Sequence, residues 1–172
     1  RQETMDNEIG YTAIRLSDLA VRTEVLKLAT KYDDVIIDTG GRDTISQRSA
    51  LSITDIYLVP FIPRSFDIWT IGKVVRLVNE AKALNPKLRP IVFINKADAR
   101  GSNNHEAKEV MNEDTLLEYA DVRIGNRKSI SMASSKGLSI IEYKPKDPKA
   151  IAEMEQLFKL ITSLKINNDG KK

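Results

Sequence analysis

Apolar residues along this chain of 172 residues follow two different spacings, and each spacing predicts one kind of element. Short continuous apolar runs predict strands that are buried on both faces, as in a parallel sheet. They occur at residues 35–37, 56–60 and 90–95, with weaker candidates at 12–16 and 138–143. Apolar positions three or four residues apart predict helices at residues 17–31, 46–53, 67–84, 106–119 and 148–164.

This alternation of strands and helices predicts an α/β fold, with a mostly parallel sheet and helices on both of its faces. A chain of this length can bury one core, and neither an internal repeat nor an interdomain linker interrupts it. We therefore interpret residues 1–164 as part of a single domain and residues 165–172 as a flexible tail.

The amino-acid composition indicates in which cellular compartment the protein is expected. The hydrophobic share of 41% and the charged share of 30% are those of an ordinary soluble protein. Cysteine is absent, which excludes disulfides and thiolate metal sites. No apolar run approaches the ~20 residues that a membrane-spanning helix needs, and no signal-peptide pattern opens the chain. We therefore expect a soluble, cytoplasmic protein.

The positive charge is concentrated in the last third of the chain. The net charge is only +3, but residues 122–141 contain no acid and four basic residues, namely Arg123, Arg127, Lys128 and Lys136. Such a stretch is most often a solvated surface, and a structural arginine at position 127 would pair with Asp121 or Glu142. The same stretch also has the charge that binding to a phosphate backbone requires.

Polar residues follow two of the predicted strands at their carboxyl ends, where parallel sheets bind ligands. Asp38 ends the run at 35–37 and is followed by Thr39, Gly40 and Gly41. In P-loop NTPases an aspartate at this place holds Mg²⁺ and its waters beside the nucleotide, and glycines let the backbone approach the γ-phosphate. An ordinary turn could use the same residues, so both interpretations stay open.

The run at 90–95 ends in the tetrapeptide Asn95-Lys96-Ala97-Asp98. An amide and a carboxylate at a strand end can recognise the edge of a purine, and the tetrapeptide matches the N-K-x-D motif of GTPases. The phosphate-binding pattern G-x-x-x-x-G-K-[ST] occurs nowhere in the sequence. We therefore expect either that an N-terminal segment with this loop is missing and that the chain alone is inactive, or that no triphosphate binds.

These features together resemble the ParA-like partition ATPases, within the ParA/MinD group of deviant P-loop proteins. Residues 32–39 (YDDVIIDT) are similar to the Walker B signature of that family. Arg127, the small residues after it, Gly137, an apolar run and Pro145 follow the order of the family's C-terminal signature. The resemblance runs from about residue 32 to residue 164, although Gly40 and Gly41 stand where the family often has two prolines.

The resemblance implies a P-loop NTPase-like, three-layer fold that is incomplete at the N-terminus, and an enzyme that hydrolyses ATP with Mg²⁺. The ATP-bound form would be a homodimer that binds DNA without sequence preference, associates with the nucleoid and not with membrane, and is stimulated by a ParB-like centromere-binding protein. Asp38 would be the catalytic residue and would hold Mg²⁺, directly or through water. The implied nucleotide-binding residues are Gly40, Gly41, Asn95 and Pro145, and the implied DNA-binding residues are Arg127, Lys128 and Lys149.

Two other functions stay open. A translation-factor or Era-like GTPase would use residues 38–41 and the tetrapeptide at 95–98 as its nucleotide motifs. A nucleotide-free binding module would keep the sheet without the phosphate loop. The block at residues 137–148 favours the ParA-like interpretation, because GTPases do not continue in this way.

Overall fold

The computed structural model describes residues 11–40, 43–63, 68–97 and 116–169. The helices are α1 (Ala20–Leu28), α2 (Ile45–Leu51), α3 (Ile68–Leu84), α4 (Lys128–Ser135) and α5 (Pro148–Asp169). The strands are β1 (Ile56–Phe61), β2 (Arg89–Ala97) and β3 (Glu118–Gly125). They form one parallel sheet in the order β1-β2-β3, which confirms the predicted α/β class.

Strand β2 lies at the centre of this sheet and is buried on both faces. Val92 and Ile94 are fully buried and pack on one face, against Val78 of α3 and residues of β1. Ile91 and Phe93 point to the other face, where the apolar side of α5 contributes Met154, Leu157, Leu160 and Leu164. Helices therefore cover both faces of the sheet, as the continuous apolar run at residues 90–95 predicts.

Strand β3 was not predicted, because the sequence assigned residues 106–119 to a helix. Residues 106–115 lie outside the described part of the chain, whereas Glu118 begins a strand that continues to Gly125. Its buried residues alternate, with Ala120, Val122 and Ile124 packed toward α5 and the residues between them exposed. This spacing of two is typical of a strand at the edge of a sheet with one well-covered face.

Two predicted strands are not strands in the structure. Residues 12–16 and 35–37 have no regular secondary structure, and Ile36 is 93% exposed. A strand requires a hydrogen-bonded neighbour, and no described strand pairs with either segment. Val35 and Ile37 are half-buried in a small cluster with Val21 and Val25 of α1, so this part of the chain packs on the helices instead of joining the sheet.

The weaker predicted strand at residues 138–143 is also wrong, because this segment forms turns. The Ser139 hydroxyl donates to Glu142 Oε2 (2.7 Å), and the backbone amide of Tyr143 donates to the Ser139 carbonyl (3.0 Å). Ile140 and Tyr143 are buried against Ala150, and their spacing of three fits a turn. Gly137, with φ of 65°, provides the left-handed residue that ends the preceding helix.

The ends of α1, α2, α3 and α5 agree with the predicted ends to within a few residues, whereas α4 was not predicted. Helix α1 begins at Ala20 instead of Ser17, and its N-cap residue Leu19 makes no side-chain cap. Helix α2 begins after Thr44, whose hydroxyl accepts a hydrogen bond from the Gln47 amide at 3.2 Å. Helix α5 continues to Asp169, past the predicted end at residue 164. Within the described ranges, no helix is both long and apolar enough to cross a membrane.

The double burial of β2 predicts a large loss of stability for Ile94→Ala. Ile94 is 0% exposed, so the substitution removes buried methylene groups and leaves a cavity that costs about 2–5 kcal/mol. Leu84→Ala is a matched control, because Leu84 is 74% exposed and its loss should change stability by less than about 0.5 kcal/mol. Urea unfolding of both variants measures the difference. Equal free energies of unfolding would contradict the central position of β2.

Candidate functional site

The carboxyl ends of β2 and β3 adjoin at one edge of the sheet. Ala97 pairs with Gly125, and the Asn126 amide donates a hydrogen bond to the Ala97 carbonyl at 3.1 Å. Asn95 Oδ1 accepts a hydrogen bond from the amide of Lys96 (2.9 Å), a residue with φ of 51°. Asp98 lies outside the described residues, so only the amide half of the predicted base-recognition tetrapeptide can be placed.

Arg127 immediately precedes α4 and is held by a carboxylate of α5. Its Nε donates to Glu153 Oε2 (3.0 Å) and its Nη2 donates to Glu153 Oε1 (2.5 Å), which is a two-point fork. The side chains are half-buried, at 27% and 23% exposure. The partner is thus neither Asp121 nor Glu142, the two acids expected from the sequence for a structural arginine.

Gly125 completes this arrangement. Its amide donates a third hydrogen bond to Glu153 Oε2, at 3.0 Å. A Cβ added to Gly125 would lie 3.2 Å from Arg127 Nε and 3.3 Å from Glu153 Oε2, which is tighter than ordinary contact. Glycine therefore allows the arginine and the glutamate to approach the end of β3. We call Gly125, Arg127 and Glu153 the arginine clamp.

The clamp has consequences for the charge of its members. The hydrogen bond from Arg127 lowers the pKa of Glu153 below its usual range, against the opposing effect of burial. The Gly125 amide lowers this pKa further. The same hydrogen bond raises the pKa of Arg127. Both groups are therefore charged at neutral pH.

Asp147 joins the starts of α4 and α5. The Ser129 hydroxyl, in the first turn of α4, donates to Asp147 Oδ2 at 2.6 Å. Asp147 Oδ1 accepts a hydrogen bond from the Ala150 amide at 3.0 Å, which caps α5. These bonds lower the pKa of Asp147, the Ser129 bond being the stronger cause. Lys128 and Lys149 are exposed and each lies in the first turn of one of the two joined helices, whereas Arg127 is the N-cap residue of α4.

Asp38 lies in a different part of the structure. It lines a cavity of about 840 Å³ whose wall is mostly apolar, formed by residues that include Ile14, Val25 and Ile36. Asp38 is exposed, and Thr39 is half-buried. A Cβ at Gly40 would contact nothing within 4 Å, so no described neighbour requires glycine there, and Gly41 lies outside the described residues.

Within its described ranges, the structure shows no hydrogen bonds that link the predicted nucleotide-binding residues to one another. No hydrogen bond there joins Asp38 to Asn95, and Pro145 is exposed three positions before α5. In the described part of the chain, no three acidic or histidine side chains gather into a metal site. A Mg²⁺ ion at Asp38 would thus take one protein carboxylate and fill its other positions with phosphate oxygens and water, which is the usual coordination of Mg²⁺.

Sequence reasoning missed Glu153, although a signal for it exists. Residues 150, 154, 157, 160 and 164 form the apolar stripe of α5, and position 153 falls on the same side of the helix. A charged residue on a packed face needs a partner, since burying an unpaired charge is costly. The amphipathic pattern of α5 could therefore have identified Glu153 as paired.

Comparison with known proteins finds several distant relatives. No family model matches the chain. It is 26% identical over 107 residues to the "ParA family protein" of Mycoplasma pneumoniae, a match that covers 62% of this chain and 38% of that protein. It is also 26% identical over 102 residues to "ParA family protein MG470" of Mycoplasma genitalium, and this match covers 59% of this chain and 37% of that protein. A third relative is "Maintenance of carboxysome distribution protein A" of Halothiobacillus neapolitanus. The chain is 23% identical to it over 143 residues, and the match covers 82% of this chain and 66% of that protein.

The matched part of this chain thus spans less than two fifths of the two mycoplasma proteins. The names agree with the features that carried the resemblance in the sequence, namely the run that ends in Asp38 and the block that begins at Arg127. The α/β fold with its parallel sheet agrees with them as well. The chain is a distant relative of the ParA-like proteins.

Proposed function

We propose that this chain is part of a Mg²⁺-dependent ATPase that partitions or positions a cargo by binding DNA without sequence preference. One observation carries the proposal: a hydrogen bond from Ser129 to Asp147 joins the starts of α4 and α5 at one corner, and Arg127, Lys128 and Lys149 belong to these helix starts in a chain that is related to ParA-like proteins. Basic side chains on one surface supply most of the affinity in nonspecific DNA binding. The ATP-bound form is a homodimer, and a ParB-like partner stimulates hydrolysis.

In this proposal Asp38 is the residue that organises Mg²⁺. Its carboxylate is exposed at the cavity and accepts no hydrogen bond from the residues that the structure describes, so it fits an ion that keeps several waters. Asp38 would hold Mg²⁺, which would supply positive charge beside the phosphates of ATP. The proposal keeps Gly40, Gly41, Asn95 and Pro145 as the nucleotide-binding residues that the resemblance to ParA-like proteins implies.

The phosphate-binding pattern does not occur in these 172 residues, so in this proposal another segment supplies the phosphate-binding loop. The apolar cavity beside Asp38 offers it a place to pack. Ile14 and Ile36 expose 54% and 93% of their surface there, an apolar area that another segment can bury.

The DNA-contact corner has a small positive balance. Residues 127–129 and 146–153 contain four cations (Arg127, Lys128, Lys146 and Lys149) and two carboxylates (Asp147 and Glu153), which leaves a net charge of 4 − 2 = +2. Lys128 and Lys149 are exposed, whereas Arg127 is half-buried in the clamp. Such a small net positive charge suits a surface that must bind DNA and then release it.

Asp38→Ala should abolish ATP hydrolysis by the full-length protein and leave the fold intact. The exposed carboxylate makes no packing contribution that its loss would remove, but Mg²⁺ loses its protein ligand. Asp55→Ala is the matched control, since Asp55 is also exposed but lies just before β1, at the amino end of the sheet. Phosphate release and circular dichroism measure both effects. Wild-type turnover in Asp38→Ala would remove this residue from the mechanism.

Nucleotide competition decides between the ATPase and the GTPase alternatives. Asn95 is half-buried and its Oδ1 already accepts a hydrogen bond from the Lys96 amide, which leaves its amide group to contact a base. We expect ATP to displace a labelled ATP analogue from the full-length protein at lower concentration than GTP does. Displacement by GTP at equal or lower concentration would favour the GTPase alternative instead.

Lys128→Ala, Lys149→Ala and Arg127→Ala should each weaken binding to all duplex sequences by a similar factor. Each substitution removes one phosphate contact, so the slope of log affinity against log salt should become shallower by about one. Lys87→Ala is the control, because Lys87 is exposed in the turn before β2, at the opposite end of the sheet.

Melting temperature alone does not test the DNA role of Arg127, because Arg127→Ala also leaves Glu153 half-buried without its partner. The salt slope is the deciding quantity. An unchanged slope in all three variants would show that this corner does not touch DNA.

A further inference from the structure

Glu153 occupies the edge of Arg127 that is best suited to hold a phosphate. The Nε–Nη2 edge of a guanidinium presents two parallel N–H donors, which match two oxygens of a carboxylate or of a phosphate equally well. In the structure both donors point to Glu153, at 3.0 and 2.5 Å. A DNA phosphate that uses this edge must therefore displace the glutamate.

The clamp is built for close contact between the two side chains. Glu153 Oε2 accepts hydrogen bonds both from Arg127 and from the Gly125 amide, and the missing side chain of Gly125 leaves the space for this approach. The three residues come from the end of β3, from the N-cap of α4 and from the second turn of α5. Three elements thus converge to keep Arg127 paired.

We infer that Glu153 is an intramolecular competitor of DNA for Arg127 and thereby sets how weakly the protein binds nonspecific duplex. This inference rests on the proposed DNA-binding function and adds to it a residue that limits affinity. In the absence of DNA the carboxylate takes the place of a phosphate oxygen pair. When DNA binds, Arg127 exchanges Glu153 for phosphate, and the cost of breaking the clamp is subtracted from the binding free energy.

A purely positioning role for Glu153 makes the opposite prediction. If Glu153 only oriented Arg127 toward DNA, removal of its charge would disorder the arginine and weaken binding. If Glu153 competes with phosphate, removal of its charge frees the arginine and strengthens binding. The sign of the change therefore separates the two roles.

The test is a salt titration of duplex DNA binding by the full-length protein with ATP and Mg²⁺, for the wild type and Glu153→Gln. Glutamine keeps the size of the side chain and a carbonyl oxygen for the Gly125 amide, but it loses the charge. We expect tighter binding with an unchanged slope of log affinity against log salt, because Arg127 contacts one phosphate in both proteins and only the cost of breaking the clamp is removed.

Glu155→Gln is the matched control. It makes the same change of charge on the same helix, but Glu155 is exposed and makes no hydrogen bond to Arg127 within the described structure. It should change the affinity for duplex DNA much less than Glu153→Gln does. The double variant Arg127→Ala/Glu153→Gln should bind no more tightly than Arg127→Ala, because Glu153 acts only through the arginine.

Gly125→Ala tests the same inference without any change of charge. Its added Cβ would lie within 3.3 Å of both clamp partners and would push them apart, so DNA binding should again become tighter than in the wild type. This variant decides the matter if Glu153→Gln does not fold, as melting curves will show.

The outcomes separate this inference from the proposed function. If the wild type binds DNA and Arg127→Ala weakens the binding, but Glu153→Gln and Gly125→Ala bind equally well or more weakly than the wild type, the competitor role is wrong and the proposed function stands. If neither the wild type nor Glu153→Gln binds duplex DNA at low salt, the proposed DNA-binding function is wrong and the inference falls with it.

Discussion

Burial of β2 on both of its faces is the constraint on which the rest of the structure depends. The strand can be apolar throughout only because α3 covers one face and α5 covers the other. Parallel pairing with β3 then fixes where β3 ends, and the register that joins Ala97 to Gly125 places the clamp residue Gly125 beside the end of β2. The same α5 that closes the core also carries Glu153. Core packing and the geometry of the proposed DNA surface therefore share one helix.

The elements that the sequence predicted correctly are those whose environment is uniform along their length. Strands β1 and β2 are apolar along their length because apolar residues pack against both of their faces, and α3 and α5 each pack one side against the sheet. Residues 35–37 have the same kind of apolar run, but no described strand pairs with them, and composition cannot reveal the absence of a neighbour. Strand β3 was missed for the opposite reason: charged residues interrupt its apolar positions, and only their spacing of two marks it as a strand.

In the candidate site, too, the sequence predicted features of single positions but not contacts between residues that are far apart in the chain. Arg127, Lys128 and Lys149 could be selected from charge and from family resemblance, because these are properties of single positions. The partner of Arg127 could not be predicted in this way, because Glu153 is 26 residues away in the chain and contacts Arg127 only when α5 packs on the sheet. The two acids expected as partners are closer in sequence, but neither forms the fork. Separation along the chain does not predict ion-pair partners where the packing of a strand and a helix brings distant residues together.

The backbone donors at this corner favour contact through side chains. Phosphates often bind at helix starts because free backbone amides point toward them. Here Asp147 already accepts from the Ala150 amide, and Glu153 already accepts from the Gly125 amide. A phosphate would have to displace a carboxylate to reach either donor. Long, exposed lysines can follow the backbone of any duplex but cannot hold one phosphate in a fixed cradle. In the proposed function this arrangement gives binding that is independent of sequence and easily reversed, because acids of the protein compete for the same donors.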